Sequence, residues 1–255
     1  MDVPLILRPG AGEGIVLICD HASNSIPAEL RNLGLPESEL QRHIAWDIGA
    51  AGVTEALSEI FDAPAILCSV SRLVIDCNRQ LDASDLIPER SDETPIPGNL
   101  NLTRDLKEDR VDRWFRPYHD AIEAVLVERE QRGISSILIS IHSMTERLSG
   151  ISRPWQIALS SHTDRRLTDP VLASLRKTPG LIVGDNEPYD LDPRCDYSVP
   201  THAFPRALPH LQVEFRQDEI AVPAAQRQWA ERFAQALSPH LKAYSSQSAR
   251  VRPAS

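Results

Sequence analysis

Two histidines and a glutamate stand where a chain of this kind can do metal or acid–base chemistry. His21 comes just after the aliphatic run Ile15-Val16-Leu17-Ile18-Cys19, with only Asp20 between, and His142 directly follows Ile137-Leu138-Ile139-Ser140-Ile141. Glu214 follows Leu211-Gln212-Val213, and a further polar cluster, Asp76-Cys77-Asn78-Arg79, follows Leu73 to Ile75. Runs of this kind read as buried strands, and the polar residues beyond them emerge at the carboxyl edge of the sheet, where open α/β folds bind ligands. Two imidazoles and a carboxylate brought to one edge point to metal-assisted hydrolysis.

The third metal ligand has two candidates. His21 and Asn24 share a His-x-x-Asn spacing that can aim both side chains at one point, but a neutral amide suits hydrogen bonding better than zinc ligation, and Asn24 or Asp20 could simply close a turn. Asp47, in His43-Ile44-Ala45-Trp46-Asp47-Ile48-Gly49, is placed early in a helix and is either the alternative ligand or a partner that orients a ligating histidine. Glu214 emerges at a dry strand end, where burial would raise its pKa toward the range of a general base. The competing role is an ion pair with Arg79 or with Arg216, which strand alternation puts on the same face. Arg79 and Arg153 can hold a substrate carboxylate through two parallel hydrogen bonds, with Asn78 and Arg216 as further substrate contacts. Asp76 reads as an orienter.

Other polar residues carry less. His119 lies within a strongly periodic helix and reads as packed, and His43, His162, His202 and His210 have no distinguishing spacing. Ser23, Ser140 and Ser143 neighbour histidines, but none sits in a Gly-x-Ser-x-Gly elbow, so a metal-free hydrolase using a serine or Cys19 is the weaker enzyme reading. A small-molecule binding protein that lost its metal is the non-enzyme rival.

The elements that must position these groups alternate. A strand over 15–19 is followed by a helical pattern from Glu37 to Phe61, ended by Pro64, and by a strand region at 65–70 and 73–75. Residues 82–105, rich in turn formers, read as a lid or binding loop. An amphipathic helix over 109–132, a strand over 136–141, an apolar segment at 156–160, a helix over 164–175 and a short strand at 181–183 follow. Residues 193–209 read as a second active-site loop, strand 210–215 and a helix over 222–243 close the fold, and the polar tail after Ser245 is expected to fray. This order predicts an α/β fold of three layers, with a mostly parallel central sheet and helices on both faces.

At 255 residues and 42% hydrophobic composition the chain is expected to form one domain, with its core over about 14–243. Its formal net charge of -9 and the absence of any Lys/Arg block argue against nucleic-acid binding. Cys19, Cys68, Cys77 and Cys195 form no Cys-x-x-Cys pair and read as reduced thiols. Residues 1–14 hold no long apolar stretch, so neither a signal peptide nor a membrane span is expected, and the cytoplasm is the expected compartment.

Five segments in order, Cys19-Asp20-His21-Ala22-Ser23-Asn24-Ser25-Ile26-Pro27, Trp46-Asp47-Ile48-Gly49, Val74-Ile75-Asp76-Cys77-Asn78-Arg79, Ser140-Ile141-His142-Ser143 and Leu211-Gln212-Val213-Glu214, resemble the N-formylglutamate amidohydrolase family over about residues 14–240. The resemblance implies hydrolysis of an N-formyl-amino diacid to formate and the free amino acid, as in histidine breakdown, and a fold similar to zinc-dependent exopeptidases. Zinc carboxypeptidases place a His-x-x-Glu pair, a second histidine and a catalytic glutamate in this order. Here His21, Asn24, His142 and Glu214 occupy it, with 72 positions between the last two (214 minus 142). Asn24 replaces the glutamate ligand. His21-Ala22-Ser23-Asn24 also departs from the His-Ser-Gly of the better-known formylglutamate enzymes, and their Lys-Gly-Gly-like loop has no match near 186–197, which marks a divergent branch. The expectation is a divalent-metal amidohydrolase, with zinc first, acting on a small N-acylated acidic amino acid. The oligomeric state is not legible.

Overall fold

The aliphatic runs become strands because their β-branched side chains can be buried on both faces of one sheet. The computed structural model describes residues 4–12, 14–148 and 150–245; the polar tail expected to fray lies outside them. In chain order the strands are β1 (Leu5–Leu7), β2 (Gly14–Cys19), β3 (Ala65–Leu67), the ribbon β4 (Arg90–Ser91) and β5 (Thr94–Pro95), β6 (Ser136–Met144), the ribbon β7 (Arg147–Leu148) and β8 (Ile151–Ser152), β9 (Ile157–Ser160), β10 (Val183–Asp185) and β11 (His210–Arg216). The helices are α1 (Glu37–Leu40), α2 (Ala50–Phe61), α3 (Arg104–Arg110), α4 (Arg116–Gln131), α5 (Thr168–Leu175), α6 (Ser198–His202) and α7 (Pro223–Ser245). The main sheet has seven strands in the order β1-β3-β2-β6-β11-β9-β10. Its β3-β2-β6-β11 block and its β9-β10 pair are parallel, while β1 and the β11-β9 junction are antiparallel. This is the mostly parallel, helix-covered α/β fold that the alternating pattern predicts.

Strand parity sorts the side chains into two layers. Ile15, Leu17, Ile137, Ile139, Ile141, Leu211, Val213 and Phe215 pack toward α2, α5 and α7 through Val53, Leu57, Val171, Trp229 and Phe233. Val16, Ile18 and Leu138 pack on the opposite face against Trp114, Phe115, Tyr118, Ile122 and Val199, from the α3–α4 segment and α6. On that second face the parity passes from apolar to polar toward the carboxyl edge, bringing Asp20, Ser140, His142, Gln212 and Glu214 to one side. Register completes the alignment: Ile18 lies opposite Ser140, Gln212 opposite Ser140, and Glu214 opposite His142.

Several segments differ from the sequence expectation. The strand expected over 65–70 ends at Leu67, that over 181–183 lies at Val183–Asp185, and the helical segment expected over 109–132 begins at Arg104. The helix expected over 37–61 is broken between α1 and α2, and Gly49 carries the break with φ of 83°. A Cβ there would meet the Ile220 carbonyl, so glycine is required on both conformational and steric grounds. Tertiary bonds replace the missing helical turns: the Asp47 amide donates to the His21 carbonyl at 3.0 Å, and the Ser71 hydroxyl donates to the Ala45 carbonyl at 2.7 Å. Residues 73–75 run through a turn and loop rather than a strand. The 82–105 loop is pinned by buried Ile96 and by Asn99, whose amide donates to the Leu73 and Pro88 carbonyls at 2.9 and 2.7 Å.

Candidate active site

Asp47, just before α2, receives both histidines. Its Oδ2 lies 3.3 Å from His21 Nδ1 and 2.9 Å from His142 Nδ1, and the three potential ligand atoms all fall within 4.8 Å of one another. Each imidazole is anchored from behind through its other nitrogen. His21 Nε2 meets Asp76 Oδ1 at 2.7 Å, and His142 Nε2 meets Asp20 Oδ2 at 3.0 Å. With Nε2–H donated to these carboxylates, both Nδ1 atoms face the centre, where each donates its proton to Asp47 Oδ2 and would offer a lone pair to a cation that replaced those protons.

The anchors are themselves held. Asp20 also accepts from Tyr118 Oη at 2.9 Å, from Ser140 Oγ at 3.1 Å and from Ser198 Oγ. Burial alone would raise its pKa, but His142, His21 and the Ser198 hydroxyl outweigh that and hold it below the usual carboxylate range. Asp76 takes Arg72 Nη2 at 2.6 Å, and Arg72 Nη1 reaches Asp47 at 3.4 Å. Burial likewise opposes ionisation of Asp47, and the two imidazoles reverse it.

Burial opposes the charged imidazoles, but the surrounding carboxylates outweigh it and raise the pKa of both His21 and His142. Two imidazolium protons and the Arg72 guanidinium therefore answer Asp20, Asp47 and Asp76, and a divalent cation in place of the two Nδ1 protons would keep that balance. That balance, with two nitrogen donors and one carboxylate donor, fits a divalent cation of zinc type. The residues that would hold it are His21, Asp47 and His142.

A cavity of about 370 Å³ opens over this cluster. Glu214 lines it, 6% exposed, with no hydrogen-bond or ion-pair partner among the described residues. Burial, reinforced by Asp47 and opposed by His142, His21 and Arg72, pushes its pKa up to about 7. A carboxyl that titrates near neutrality beside a metal-type cluster is placed for proton transfer.

The family model of N-formylglutamate amidohydrolase matches residues 14–221. The chain belongs to the N-formylglutamate amidohydrolase family. It is therefore a hydrolase acting on amide bonds. Among solved structures it is similar to a gene product from Agrobacterium tumefaciens, at 31% identity and a TM-score of 0.92, covering 95% of this chain and 96% of that one. It is also similar in fold to the N-formylglutamate amidohydrolase from Ralstonia eutropha, at 19% identity and a TM-score of 0.68, covering 95% and 99%. No curated protein matches it.

In this member of the family the residues singled out from sequence divide into those at the cavity and those away from it. His21, Asp47, His142, Glu214, Asn78, Arg79 and Arg153 line it. Asn24 does not: its amide donates to the Leu40 carbonyl at 2.9 Å and closes the loop onto the end of α1, so the spacing that suggested a ligand serves a turn instead. Arg216 is also outside, held by Asp218 at 2.7 Å and by Glu219, because β11 ends there and its side chain turns back to the following turn. Asn78 lines the cavity as a brace, donating to Asp196 and accepting from the Tyr197 and Ser198 amides. Cys19 faces the opposite layer, where burial pushes its thiol pKa up, and Ser140 donates to Asp20, so neither is set up as a nucleophile.

Sequence reasoning missed Arg72, Asp20 as an anchor, Gln212 and Tyr189. Asp20 adjoins His21 in sequence, yet strand alternation sends it to His142 instead. Arg72 stands four positions before Asp76, a spacing that could have suggested the pair.

Proposed function

We propose that this chain is a divalent-metal amidohydrolase that cleaves the linear amide of a small N-acyl amino acid, with N-formylglutamate hydrolysed to formate and glutamate. The observation that carries the reading is the convergence of His21 Nδ1, His142 Nδ1 and Asp47 Oδ2, each imidazole backed by a carboxylate, beside a Glu214 that titrates near neutrality. When bound there, a zinc-type cation supplies Lewis acidity to the scissile carbonyl and lowers the pKa of the attacking water.

The chain's own groups do the rest. Glu214 accepts a proton from the attacking water as oxygen bonds to the carbonyl carbon, then returns it to the amine nitrogen as the C–N bond breaks. Asp76 and Asp20 fix ring orientation, and Arg153 binds a substrate carboxylate. The cavity of about 370 Å³ and the net charge of -9 support a small-molecule substrate rather than nucleic acid. No described helix is long and apolar enough to cross a membrane, and a cytoplasmic, one-domain enzyme is the reading we adopt.

The test is elemental analysis of the purified protein together with formate release from N-formyl-L-glutamate, before and after chelation. About one equivalent of metal, with activity lost on chelation and restored by zinc, is expected. Full activity after complete metal removal would overturn the metal-dependent reading, and no formate release at any metal loading would overturn the amidohydrolase reading.

A further inference from the structure

The loop between β10 and α6 walls the cavity through Asp190, Asp192, Cys195 and Asp196. One segment, Asp76 to Gln80, fastens it. Asn78 Nδ2 donates to Asp196 Oδ1 at 2.9 Å, and Asn78 Oδ1 accepts from the Tyr197 and Ser198 amides at 2.9 and 3.0 Å. Gln80 Nε2 adds bonds to the Pro193 and Asp196 carbonyls at 3.0 and 2.9 Å. An amide oxygen has two lone pairs, and both of those on Asn78 are taken, so that oxygen has no place left for a substrate donor. The partner set also selects asparagine, since an ionised aspartate could accept from the two amides but could not donate to Asp196.

The same loop is tied to the carboxylates behind both imidazoles. The Asn78 backbone amide donates at 2.9 Å to Asp76 Oδ1, the oxygen that His21 Nε2 meets at 2.7 Å. Ser198, fully buried, donates its hydroxyl to Asp20 Oδ1, and the other oxygen of Asp20 meets His142 Nε2 at 3.0 Å. Residues 196–198 therefore reach His21 through Asn78 and Asp76, and reach His142 through Asp20. Carboxylates behind a ligating histidine fix its ring orientation, and the groups that hold those carboxylates fix it in turn.

We propose that Asn78 and Ser198 are positioning residues for the hydrolysis, clamping the cavity loop to Asp76 and Asp20 so that the His21 and His142 rings are held as a cation requires. Asn78 then acts on a metal ligand rather than on substrate, and the cavity wall and the metal ligands form one hydrogen-bonded unit. This rests on the metal-dependent reading and extends it to the groups that hold the ring anchors.

The experiment compares Asn78→Ala and Ser198→Ala with the parent by calorimetric zinc titration, by kinetics on N-formyl-L-glutamate at saturating zinc, and by NMR of the His21 and His142 Nε2–H protons in the metal-free protein. Asn78→Ala is expected to weaken zinc about tenfold or more and to lower kcat, with KM changed by less than about twofold. Ser198→Ala should act in the same direction but less, because Asp20 keeps Tyr118 and Ser140. In the metal-free protein Asn78→Ala is expected to shift and broaden the His21 signal with His142 little changed, and Ser198→Ala the reverse. A raised KM at unchanged kcat and zinc affinity would make Asn78 a substrate contact and overturn the proposal. So would a lowered Tm with zinc affinity, kcat and both ring signals at parent values, or a disturbance of both rings alike by either variant. If the parent takes up no zinc or releases no formate, the metal-dependent amidohydrolase reading fails, and the ring signals alone decide this inference; their absence from the parent overturns it. If Asn78→Ala does not fold, Ser198→Ala and the His142 signal decide it, since that substitution removes one side-chain donor.

Discussion

Replacing Glu214 by glutamine is expected to make the protein inactive and, at the same time, more stable. Its carboxyl is buried, lacks a partner among the described residues, and titrates at about 7 instead of the ordinary 4.5. Because the native pKa is the higher one, the native state holds this proton more tightly than the unfolded chain does. The associated stability is therefore complete below pH 4.5 and is lost as pH rises through about 7. The interval corresponds to about 3 kcal/mol of cost for the charged form at pH 8. Glutamine removes that cost but leaves an imperfectly paired amide, worth about 1 kcal/mol against it, so a net gain of about 2 kcal/mol is expected. For a chain of this size that is a rise in Tm of roughly 4–8 °C at pH 8, shrinking as pH falls and turning into a loss of about 1 kcal/mol near pH 4, where the carboxyl is neutral in the native state. Thermal unfolding of chelator-treated parent and variant across this pH range measures it, while metal-loaded kinetics should show kcat reduced by about two to four orders of magnitude. A variant no more stable than its parent at pH 8, or one that keeps kcat within a factor of about ten, would refute the account of Glu214 as a strained, buried base.

The metal site makes a sharper distinction between neighbours: His21→Ala, His142→Ala and Asp47→Ala should each lose bound metal by elemental analysis, whereas Asn24→Ala should retain it and lose only a loop hydrogen bond of about 1 kcal/mol. Asp20→Asn and Asp76→Asn should keep the fold while weakening zinc about 10–100-fold in calorimetric titration; unaltered affinity would show that these carboxylates do not orient the rings. In the loaded enzyme Glu214 must be ionised to accept a proton, so kcat/KM should rise with pH through an apparent pKa at or below about 7, the cation pulling it downward, and Glu214→Asp should move that limb. Ile139→Ala, in the layer facing α2 and α7, should cost about 2–5 kcal/mol in denaturant unfolding with no change in metal affinity.

The alternation of aliphatic runs and helical patterns is local, so the sequence by itself determined the α/β architecture, the main strands β2, β6, β9 and β11, and the emergence of His21, His142 and Glu214 at strand ends. It also carried Asp47 as a possible third ligand, but only beside Asn24, because Asn24 is three residues from His21 whereas Asp47, 26 positions away, reaches it only through the fold. The choice between them was made by tertiary contacts. The Leu40 carbonyl takes the Asn24 amide, while the break at Gly49 and the bond from the Asp47 amide to the His21 carbonyl bring Asp47 under both imidazoles. The same holds for the arginines, which are chemically alike in sequence. Whether one faces an acid depends on partners far along the chain or on where a strand ends, as Arg216 and Arg153 illustrate. The Asp20 network was hidden for the same reason, since its donors come from β6, α4 and α6, and only sheet register and helix packing bring Ser140, Tyr118 and Ser198 to one carboxylate. Periodicity is a property of neighbours along the chain, whereas charge pairing and hydrogen-bond partnership are properties of neighbours in space.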